Sequence, residues 1–458
     1  MAELGITLVG DGELVPCVDG TERPYLSLDA AASTGALPSV AERVAEFLPN
    51  YSSVHRGAGW KSQQATAEYE EARTATLVFA GREGRDDVAI ICRNTTEAIN
   101  HLAYRLGLAA SDVVLTTVVE HHANLLPWGR LCRRRYVECG SSGTFDIDAV
   151  RAGLDERPVP RLLAVTGASN VTGWVLPIDE IIDEAHARGV PVLVDGAQLA
   201  PHRPLPADAD FVAWSGHKMY APFGAGVLVG PRTAFASGDP FLAGGGAVDL
   251  VDLDEVVWTD PPEREEAGSP NVMGAVALHA ALDALTTIGW DAIRSHDDAL
   301  GERLRAGLQR IDGVRLLGPA HADVLPVATF VIDGMPHALV AARLSAEYGI
   351  GVRHGCFCAH PYLTRLLGLD DAEVEAYRQA VLQGDRTRMP GAVRASAGLS
   401  TTLADVDRFL DAMSEITAGG PAPVTYDVDP HTGDFWPHAD GGPWSTAMRR
   451  LGASCARG

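Results

Sequence analysis

The sequence predicts an α/β protein with a large domain built on a mostly parallel β-sheet, followed by a smaller α+β domain. Continuous Val, Ile and Leu runs alternate with amphipathic helical patterns from residue 87 onward, as is typical of parallel strands that helices cover on both faces. The 458 residues are also too many for one ordinary domain. Polar residues directly follow several of the apolar runs, which matters because such sheets bind ligands beyond the carboxyl ends of their strands.

Composition and charge narrow the classes of function. Apolar residues make up 46% of the chain and charged residues 21%, as in globular proteins. The net charge of −23 argues against binding to nucleic acid or to an anionic membrane surface. Residues 1–10 lack the pattern of a secretory signal. The seven cysteines, scattered from Cys17 to Cys455, do not resemble a disulfide framework. We therefore expect a cytoplasmic enzyme with no membrane association.

The elements before the sheet are short. Residues 26–29 are predicted to be extended and lead into small residues that permit close packing. Pro38 begins an amphipathic helical pattern that ends at residues 49–50. Ser62 is the predicted cap of a second helix, which ends at Gly81.

Strands and helices then alternate, which is the strongest structural signal in the sequence. The predicted strands are residues 87–92, 113–118, 161–165, 191–194, 211–214 and 224–229. Helical patterns lie between several of them, for instance at residues 97–106 and 178–188. Such alternation predicts a sheet whose helices lie on both faces.

A long helix from about Gly268 to Thr286 is the predicted bridge to the second domain. That domain combines helices at residues 298–309, 338–348 and 404–413 with strands at 326–332 and 392–395. The predicted organisation is an N-terminal arm of the small domain (1–30), a large domain (31–286), a small domain (287–417) and a C-terminal extension (418–458).

The extension is rich in Gly, Pro, Asp and His, with Trp436 and Trp444 as its aromatic anchors. It is either disordered or wrapped over the protein, and we favour wrapping near the domain junction.

Chemistry is predicted at Lys218, which follows a buried strand among apolar neighbours and stands next to His217. A lysine in such a place can have a lowered pKa and attack a carbonyl as a neutral amine. If it forms an imine with pyridoxal phosphate, four further groups are needed: a phosphate cradle, a carboxylate for the pyridine nitrogen, a flat cover for the ring and a donor to the phenolate oxygen.

Each of these four needs has a candidate that follows a predicted strand. Free N–H groups at the start of a helix bind phosphate, and the remaining groups supply a carboxylate, a flat ring and an amide. The candidates are Thr95, Thr96, Ser215 and His217 for the phosphate, Asp195 for the pyridine nitrogen, His121 for the ring and Gln198 for the phenolate oxygen. Taken singly, these residues also suit an ordinary helix start, a loop turn or a structural histidine. Their order along the chain favours the cofactor site.

The sequence resembles the class V aminotransferases of fold type I, and most closely their cysteine desulfurase and selenocysteine lyase branch. The resemblance extends over about residues 28–413. The motifs that carry it are Asn94-Thr95-Thr96-Glu97-Ala98-Ile99-Asn100, Glu120-His121-His122-Ala123-Asn124, Asp195-Gly196-Ala197-Gln198 and Ser215-Gly216-His217-Lys218. It implies a pyridoxal-phosphate-dependent homodimer with active sites at the subunit boundary and with Lys218 as the Schiff-base lysine.

The resemblance also implies roles for residues outside these motifs. Asn170 matches a pocket position, and His55 and Arg56 resemble an active-site turn. Ser269 matches a phosphate contact that the partner subunit lends, where relatives often have threonine. Cys358 matches the persulfide-forming cysteine, and Arg353 matches a residue before it.

The substrate end of the site is predicted in the second domain. Arg394 lies within a predicted strand, and a guanidinium binds a substrate carboxylate through two hydrogen bonds; a structural salt bridge is the alternative. Two histidines precede the catalytic cysteine in the common desulfurase pattern, whereas Cys356 and Phe357 do so here. Cys358 is therefore a nucleophile, a relic or half of a redox pair with Cys356. A metal cluster of His354, Cys356, Cys358 and His360 does not fit the usual spacing.

We accordingly expect an enzyme acting on an amino acid, with cysteine desulfuration as the leading hypothesis. In that hypothesis L-cysteine becomes alanine, and sulfur passes to Cys358 and then to an acceptor protein. The altered segment before Cys358 keeps a second hypothesis open, which is β-elimination, epimerisation or transamination of a specialised amino acid. A non-catalytic scaffold is the third.

Overall fold

The computed structural model describes residues 4–438 and Trp444. Apart from Trp444, the predicted extension beyond residue 438, with Cys455, lies outside the described residues. The strands are β1 (Leu14–Pro16), β2 (Glu22–Pro24), β3 (Leu26–Ser27), β4 (Asp87–Cys92), β5 (Val113–Thr117), β6 (Arg133–Val137), β7 (Leu162–Thr166), β8 (Val192–Asp195), β9 (Phe211–Ser215), β10 (Gly226–Pro231), β11 (Val248–Val251), β12 (Val256–Trp258), β13 (Val314–Leu317), β14 (Val327–Ile332), β15 (Ile350–Gly351), β16 (Arg353–Gly355), β17 (Ala392–Ser396), β18 (Tyr426–Val428) and β19 (Phe435–Pro437).

The α-helices are α1 (Pro38–Phe47), α2 (Trp60–Phe79), α3 (Thr95–Arg105), α4 (Leu126–Leu131), α5 (Ile147–Asp155), α6 (Ile178–His186), α7 (Val272–Ile288), α8 (Trp290–Leu308), α9 (His337–Tyr348), α10 (His360–Leu367), α11 (Asp371–Leu382) and α12 (Leu403–Thr417).

The largest sheet has seven strands in the order β4-β10-β9-β8-β7-β5-β6. Only β10 runs antiparallel to its two neighbours, and the remaining pairs are parallel. Strand β10 is the segment predicted to turn back after Lys218. This mostly parallel sheet between helices confirms the predicted fold class.

Alternating side chains of the strands fill two separate cores, one on each face of the sheet. In β5, for example, Val114 packs with the residues of α3, whereas Leu115 packs with those of α5, α6 and α7. The inner strands are therefore apolar on both sides, which explains why their sequences are continuous apolar runs rather than alternating ones.

The second layer is a four-stranded antiparallel sheet in the order β13-β14-β17-β16. Its core is shared with helices α8, α9 and α12. Strand β3, which precedes the large sheet in the chain, pairs in parallel with β15 beside this layer. The N-terminal segment thus contacts the smaller layer, while the exact limits of the domains stay a prediction.

The described part of the C-terminal extension lies against the second layer. Strands β18 and β19 form a hairpin, and the Tyr426 hydroxyl donates to Glu347 of α9 at 2.9 Å. The Trp444 indole donates to the carbonyl of Pro16 at 3.1 Å. Within the described ranges, no single helix has the length and apolar character to cross a membrane; α7 and α8 meet that criterion only together, as a pair bent by 82°.

Candidate active site

A cavity of about 310 Å³ lies where the carboxyl ends of the large sheet face the second layer. The residues predicted for a cofactor that line it are Thr95, Thr96, His121, Asn170, Asp195, Gln198, Ser215, His217 and Lys218. Arg353, Cys358 and Arg394 line it from the other side. The structure thus brings together residues that follow β4, β5, β8 and β9, as the strand-end pattern predicted, and adds Asn170 after β7, which the resemblance implied. Their chemical roles stay predictions.

The start of helix α3 forms one end of the cavity. Asn94 caps the helix by accepting the N–H of Glu97 at 3.0 Å. The N–H of Thr95 donates to Ser215 Oγ at 2.8 Å, and the two hydroxyl oxygens lie 2.6 Å apart. First-turn N–H groups have no partner within their helix and carry the positive end of its dipole. This end of the cavity therefore suits an anion such as phosphate.

Gly226 of β10 allows the loop before α3 to approach the sheet closely. A Cβ on this glycine would lie 2.5 Å from Asn94 Cα and 2.7 Å from its carbonyl carbon. Backbone atoms cannot swing aside as a side chain can, so any larger residue would displace the loop. The helix start and Ser215 thus keep their positions because residue 226 has no side chain.

Asp195 ends β8 and is buried. One carboxylate oxygen accepts the N–H of Ala197 at 3.0 Å. Burial raises the pKa of this carboxyl group, and the Ala197 N–H and the Lys218 charge act in the opposite direction. A cation placed beside Asp195 would offset the burial and keep the carboxylate ionised. Gln198 donates from Nε2 to the carbonyl of Ala31 at 2.7 Å, which ties this wall to the N-terminal segment.

His121 is neutral at pH 7. Burial, followed by the positive charges of Lys218 and Arg394 and by His122, lowers its pKa to about 4. Nδ1 accepts the N–H of Ala123 at 3.0 Å, so we assign the ring proton to Nε2. A neutral flat ring at this position can cover an aromatic ligand without adding charge.

Lys218 lies in the short turn that follows β9. Burial lowers its pKa to about 8, against the attraction of Asp195, which raises it. About one tenth of the amine is therefore neutral at pH 7, far more than for an ordinary lysine, and a nucleophile requires the neutral form. The turn is fixed because the carbonyl of His217 accepts the N–H of Thr34 at 2.9 Å and the hydroxyl of Ser33 at 3.1 Å.

Two arginines line the opposite wall, and one carboxylate pairs with both of them. Arg394 is buried and donates to the carbonyl of Asn170 at 2.7 Å and to Asp29 Oδ1 at 3.1 Å, and its Nε has no partner. Arg353 pairs with the other oxygen of Asp29 at 2.7 Å. The predicted salt bridge of Arg394 therefore exists, and the arginine also borders the cavity. Asp29 was missed, although it ends a short extended run as the other site residues do.

Cys358 lies on a strained turn. The N–H of Ala359 donates to the carbonyl of Cys356 at 2.9 Å, and the two residues between them, Phe357 and Cys358, have φ angles of 55° and 53°. Residues other than glycine rarely adopt this left-handed backbone conformation. The turn is clamped by the large sheet, since the N–H of His122 donates to the Cys358 carbonyl and Asn170 Nδ2 to the Phe357 carbonyl, both at 2.7 Å.

Three predicted residues do not line the cavity of their own chain. His55 and Arg56 lie in an exposed turn, where His55 Nε2 contacts Glu70 at 2.7 Å and Arg56 donates to the carbonyl of Val248 at 3.0 Å. Ser269 is exposed in the loop before α7. The active-site role predicted for His55 and Arg56, and the phosphate contact predicted for Ser269 in a partner subunit, stay predictions.

Within residues 4–438, one group of three potential metal ligands has its ligand atoms within 4.8 Å of one another, namely His55, Glu70 and Glu263. Arg73 bridges the two carboxylates at 2.8 and 2.9 Å. Arg73 thus already neutralises the carboxylate charge that would otherwise attract a metal ion.

Comparison with known proteins shows clear relatives. A model of the family described as "Aminotransferase class-V" matches residues 26–409. A probable cysteine desulfurase of Halobacterium salinarum is 35% identical and covers 85% of this chain and 90% of its own length. A cysteine desulfurase of Dickeya dadantii is 39% identical over 75% of this chain and 85% of its own. The apo structure of a cysteine desulfurase from Thermococcus onnurineus has a TM-score of 0.77 at 31% identity, covering 86% of this chain and 95% of that one.

Proposed function

The chain belongs to the class-V aminotransferase family, and from this premise we propose that it is a pyridoxal-phosphate-dependent cysteine desulfurase converting L-cysteine to L-alanine. The observation that carries the proposal is that the thiol-bearing Cys358 lines the same cavity as Lys218 and Arg394. Relatives that share most of their length with this chain are named cysteine desulfurases, which supports the same activity.

The residues present fit pyridoxal phosphate. The helix start at Thr95, held close by the absence of a side chain at residue 226, suits the phosphate. Asp195 would face the pyridinium nitrogen, whose charge offsets the burial of the carboxylate. The neutral ring of His121 would cover the cofactor ring. Lys218 is the amine that would hold the cofactor covalently. When bound, the cofactor withdraws electrons from the substrate and makes the proton at its α-carbon removable.

Lys218 would then serve as the base. Its pKa of about 8 lets the amine accept a proton near neutral pH and return it. The low local polarity that lowers this pKa also excludes water from the proton transfer. His121 cannot compete for the proton at pH 7, because its own pKa is about 4.

The substrate carboxylate would bind at the arginine wall. Arg394 and Arg353 share one carboxylate, Asp29, so this wall retains a net positive charge of about one. The buried Nε of Arg394 has no partner, and it provides a donor for an arriving carboxylate. Recognition through a guanidinium orients the amino acid as well as attracting it.

Cys358 would take the sulfur. Its thiolate forms a bond to the sulfur of L-cysteine, the bond from that sulfur to the β-carbon breaks, and the carbon skeleton leaves as alanine. The atoms balance as cysteine plus thiol giving alanine plus persulfide. An acceptor must then remove the outer sulfur before the next turnover, and we propose a separate sulfur-acceptor protein for this step.

The test is a product assay on the holoenzyme with L-cysteine as the sole substrate. We expect alanine, and one persulfide per site when no acceptor is added. Cys358→Ser should abolish alanine formation, whereas Cys132→Ser, a matched change at a half-buried cysteine away from the cavity, should leave it intact. Pyruvate without alanine would refute the desulfurase proposal in favour of elimination or transamination.

We also propose a homodimer with shared active sites. The exposed turn of His55 and Arg56 is joined to the β11–β12 hairpin by the contact of Arg56 with Val248. The hairpin exposes large apolar side chains, including Leu253, as interface surfaces do. A two-fold axis through this surface would bring Arg56 and Ser269 to the site of the partner.

Mixing two inactive variants tests whether the two subunits share their active sites. Arg56→Ala and Lys218→Ala chains, each inactive alone, would form mixed dimers in which one site has both native residues. Random mixing in equal amounts should restore about one quarter of the sites, because half of the dimers are mixed and each has one intact site of two. No recovery, with dimers shown by light scattering, would place each site within one chain.

A further inference from the structure

A second cavity lies behind the cysteine turn. It has a volume of about 560 Å³, in the range of small-molecule sites. Phe357 and Cys358 line both this cavity and the one that contains Lys218, whereas Cys356 lines only the second. The turn therefore separates the two cavities. Cys358 lies at the boundary between them, and Cys356 lies on the side of the second cavity.

Contacts between Arg386, His354 and the C-terminal extension hold the far wall of the second cavity in place. The N–H of Arg386 donates to the carbonyl of Pro430 at 2.9 Å, and its guanidinium donates to the carbonyl of His431 at 3.1 Å. His354 Nε2 lies 3.4 Å from Asp434 Oδ1. The family model ends at residue 409, so residues 430–435 close this cavity from beyond the matched region.

Cys356 and Cys358 both line the second cavity, and only Phe357 separates them in the chain. The N–H of Ala359 donates to the carbonyl of Cys356 at 2.9 Å, so the two cysteines belong to one tight turn. Burial raises the pKa of the Cys356 thiol, and backbone N–H groups offset only part of that rise. Cys356 is therefore a thiol whose proton must leave when its sulfur reacts.

We propose that Cys356 receives the outer sulfur of the Cys358 persulfide and presents it to an acceptor in the second cavity. This relay rests on the proposed function, because it needs a persulfide on Cys358. Cys358 would collect sulfur from the substrate side, and Cys356 would deliver it from the other. The acceptor would not have to enter the cavity that holds the cofactor.

The transfer is balanced without an oxidant. The sulfur of Cys356 attacks the outer sulfur of the Cys358 persulfide, so that a new sulfur–sulfur bond forms on Cys356 and the old bond to Cys358 breaks. The electron pair of the broken bond stays on Cys358, and the proton of the Cys356 thiol moves to it. The products are a Cys356 persulfide and a free Cys358 thiol.

The charges of the second cavity indicate the class of acceptor. Arg386 and Arg388 line it, and no aspartate or glutamate of the described residues does. Arg353, which also lines it, is paired with Asp29. An excess of positive charge attracts anions to the cavity mouth. The acceptor expected here is a thiol that carries negative charge close to its sulfur.

Mass spectrometry after one turnover tests the relay. The holoenzyme is given L-cysteine without an acceptor, quenched with iodoacetamide and digested with trypsin, which releases residues 354–365 with both cysteines separated by Phe357. Fragment ions should place an extra mass of about 32 Da, one sulfur, on Cys356. In Cys358→Ser neither position should carry it, and in Cys356→Ser it should stay on Cys358.

The outcomes separate the two proposals. If the native enzyme makes no alanine, the proposed function fails. If alanine forms and all extra sulfur is on Cys358, the function holds and the relay is refuted. A disulfide between the two cysteines, with release of sulfide, would also refute the relay, because Cys356 would then have attacked the inner sulfur.

The rates of sulfur release to two model thiols test whether sulfur leaves through the second cavity. We expect the native enzyme to release sulfur faster to 2-mercaptoethanesulfonate than to cysteamine at matched thiolate concentration. This preference should be lost in Cys356→Ser and reduced in Arg386→Ala/Arg388→Ala, with folding checked by circular dichroism. Equal rates with both thiols in the native enzyme, or an unchanged preference in Cys356→Ser, would refute delivery from the second cavity.

Discussion

Replacing Gly226 by alanine should weaken pyridoxal phosphate binding sharply. The added Cβ would lie 2.5 to 2.8 Å from three backbone atoms of Asn94, whereas carbon atoms pack best at about 3.5–4.0 Å. The loop must therefore retreat by about 1 Å, which separates the start of α3 from Ser215. A displacement of about 1 Å in such a site can cost a factor of 100, so we expect the Kd for the cofactor to rise about 10- to 100-fold, or about 1.4–2.8 kcal/mol.

Gly230→Ala is the matched control for this experiment. It lies in the same strand, and its Cβ would also be 2.5 Å from a neighbour, but that neighbour is the ring of Phe211, away from the cavity. Both variants should lose thermal stability, and only Gly226→Ala should lose cofactor affinity in an absorbance titration. If Gly226→Ala binds pyridoxal phosphate as tightly as the native chain, the helix start does not hold the phosphate.

Three further predictions concern charge. Burial lowers the pKa of Lys218 from 10.5 to about 8. In the cofactor-free protein the protonated amine thus costs up to about 3 kcal/mol below pH 8, a cost that fades as the pH rises toward 10.5. Lys218→Met should be more stable than the native chain in urea at pH 7 and lose most of that advantage by pH 10. Asp29→Asn leaves Arg394 without its carboxylate partner and should lower the free energy of unfolding by about 1–3 kcal/mol. L-Alanine should raise the melting temperature of this variant more than that of the native chain. Asp297→Asn, at a fully buried partner of Arg203, should cost about 3–5 kcal/mol in urea unfolding without changing cofactor affinity.

The buried strands were predictable because both of their faces are apolar. All six predicted strands of the large sheet are confirmed with small shifts at their ends. The seventh, β6, was missed: it begins Arg-Arg-Arg and lies at the edge of the sheet, where its side chains are largely exposed. An edge strand has no need of an apolar run, so periodicity does not reveal it. Helix α11 was missed for a similar reason, since none of its residues is buried.

The candidate site was predictable only where each residue follows its own strand. Asp195 and Lys218 could be placed in this way, because parallel strands end at one edge of the sheet. The pairing of Asp29 with Arg394 could not, since 365 residues separate them. The sequence gives no sign of the positive φ angles of Phe357 and Cys358. A glycine at either position would have indicated a left-handed turn.

The cysteine turn shows why the two layers must act together. Two residues in the left-handed conformation cost about 2–4 kcal/mol. Burial of the Phe357 ring contributes about 1.5–3 kcal/mol, and each hydrogen bond from His122 and Asn170 about 1 kcal/mol. The cost and the gains are of similar size, so neither layer alone would hold the turn. The turn follows β16 of the smaller sheet, and both donors follow strands of the large one. Cys358 therefore reaches the cavity only while the two layers are joined, and loosening their contact should displace the thiol before it disturbs the cofactor residues.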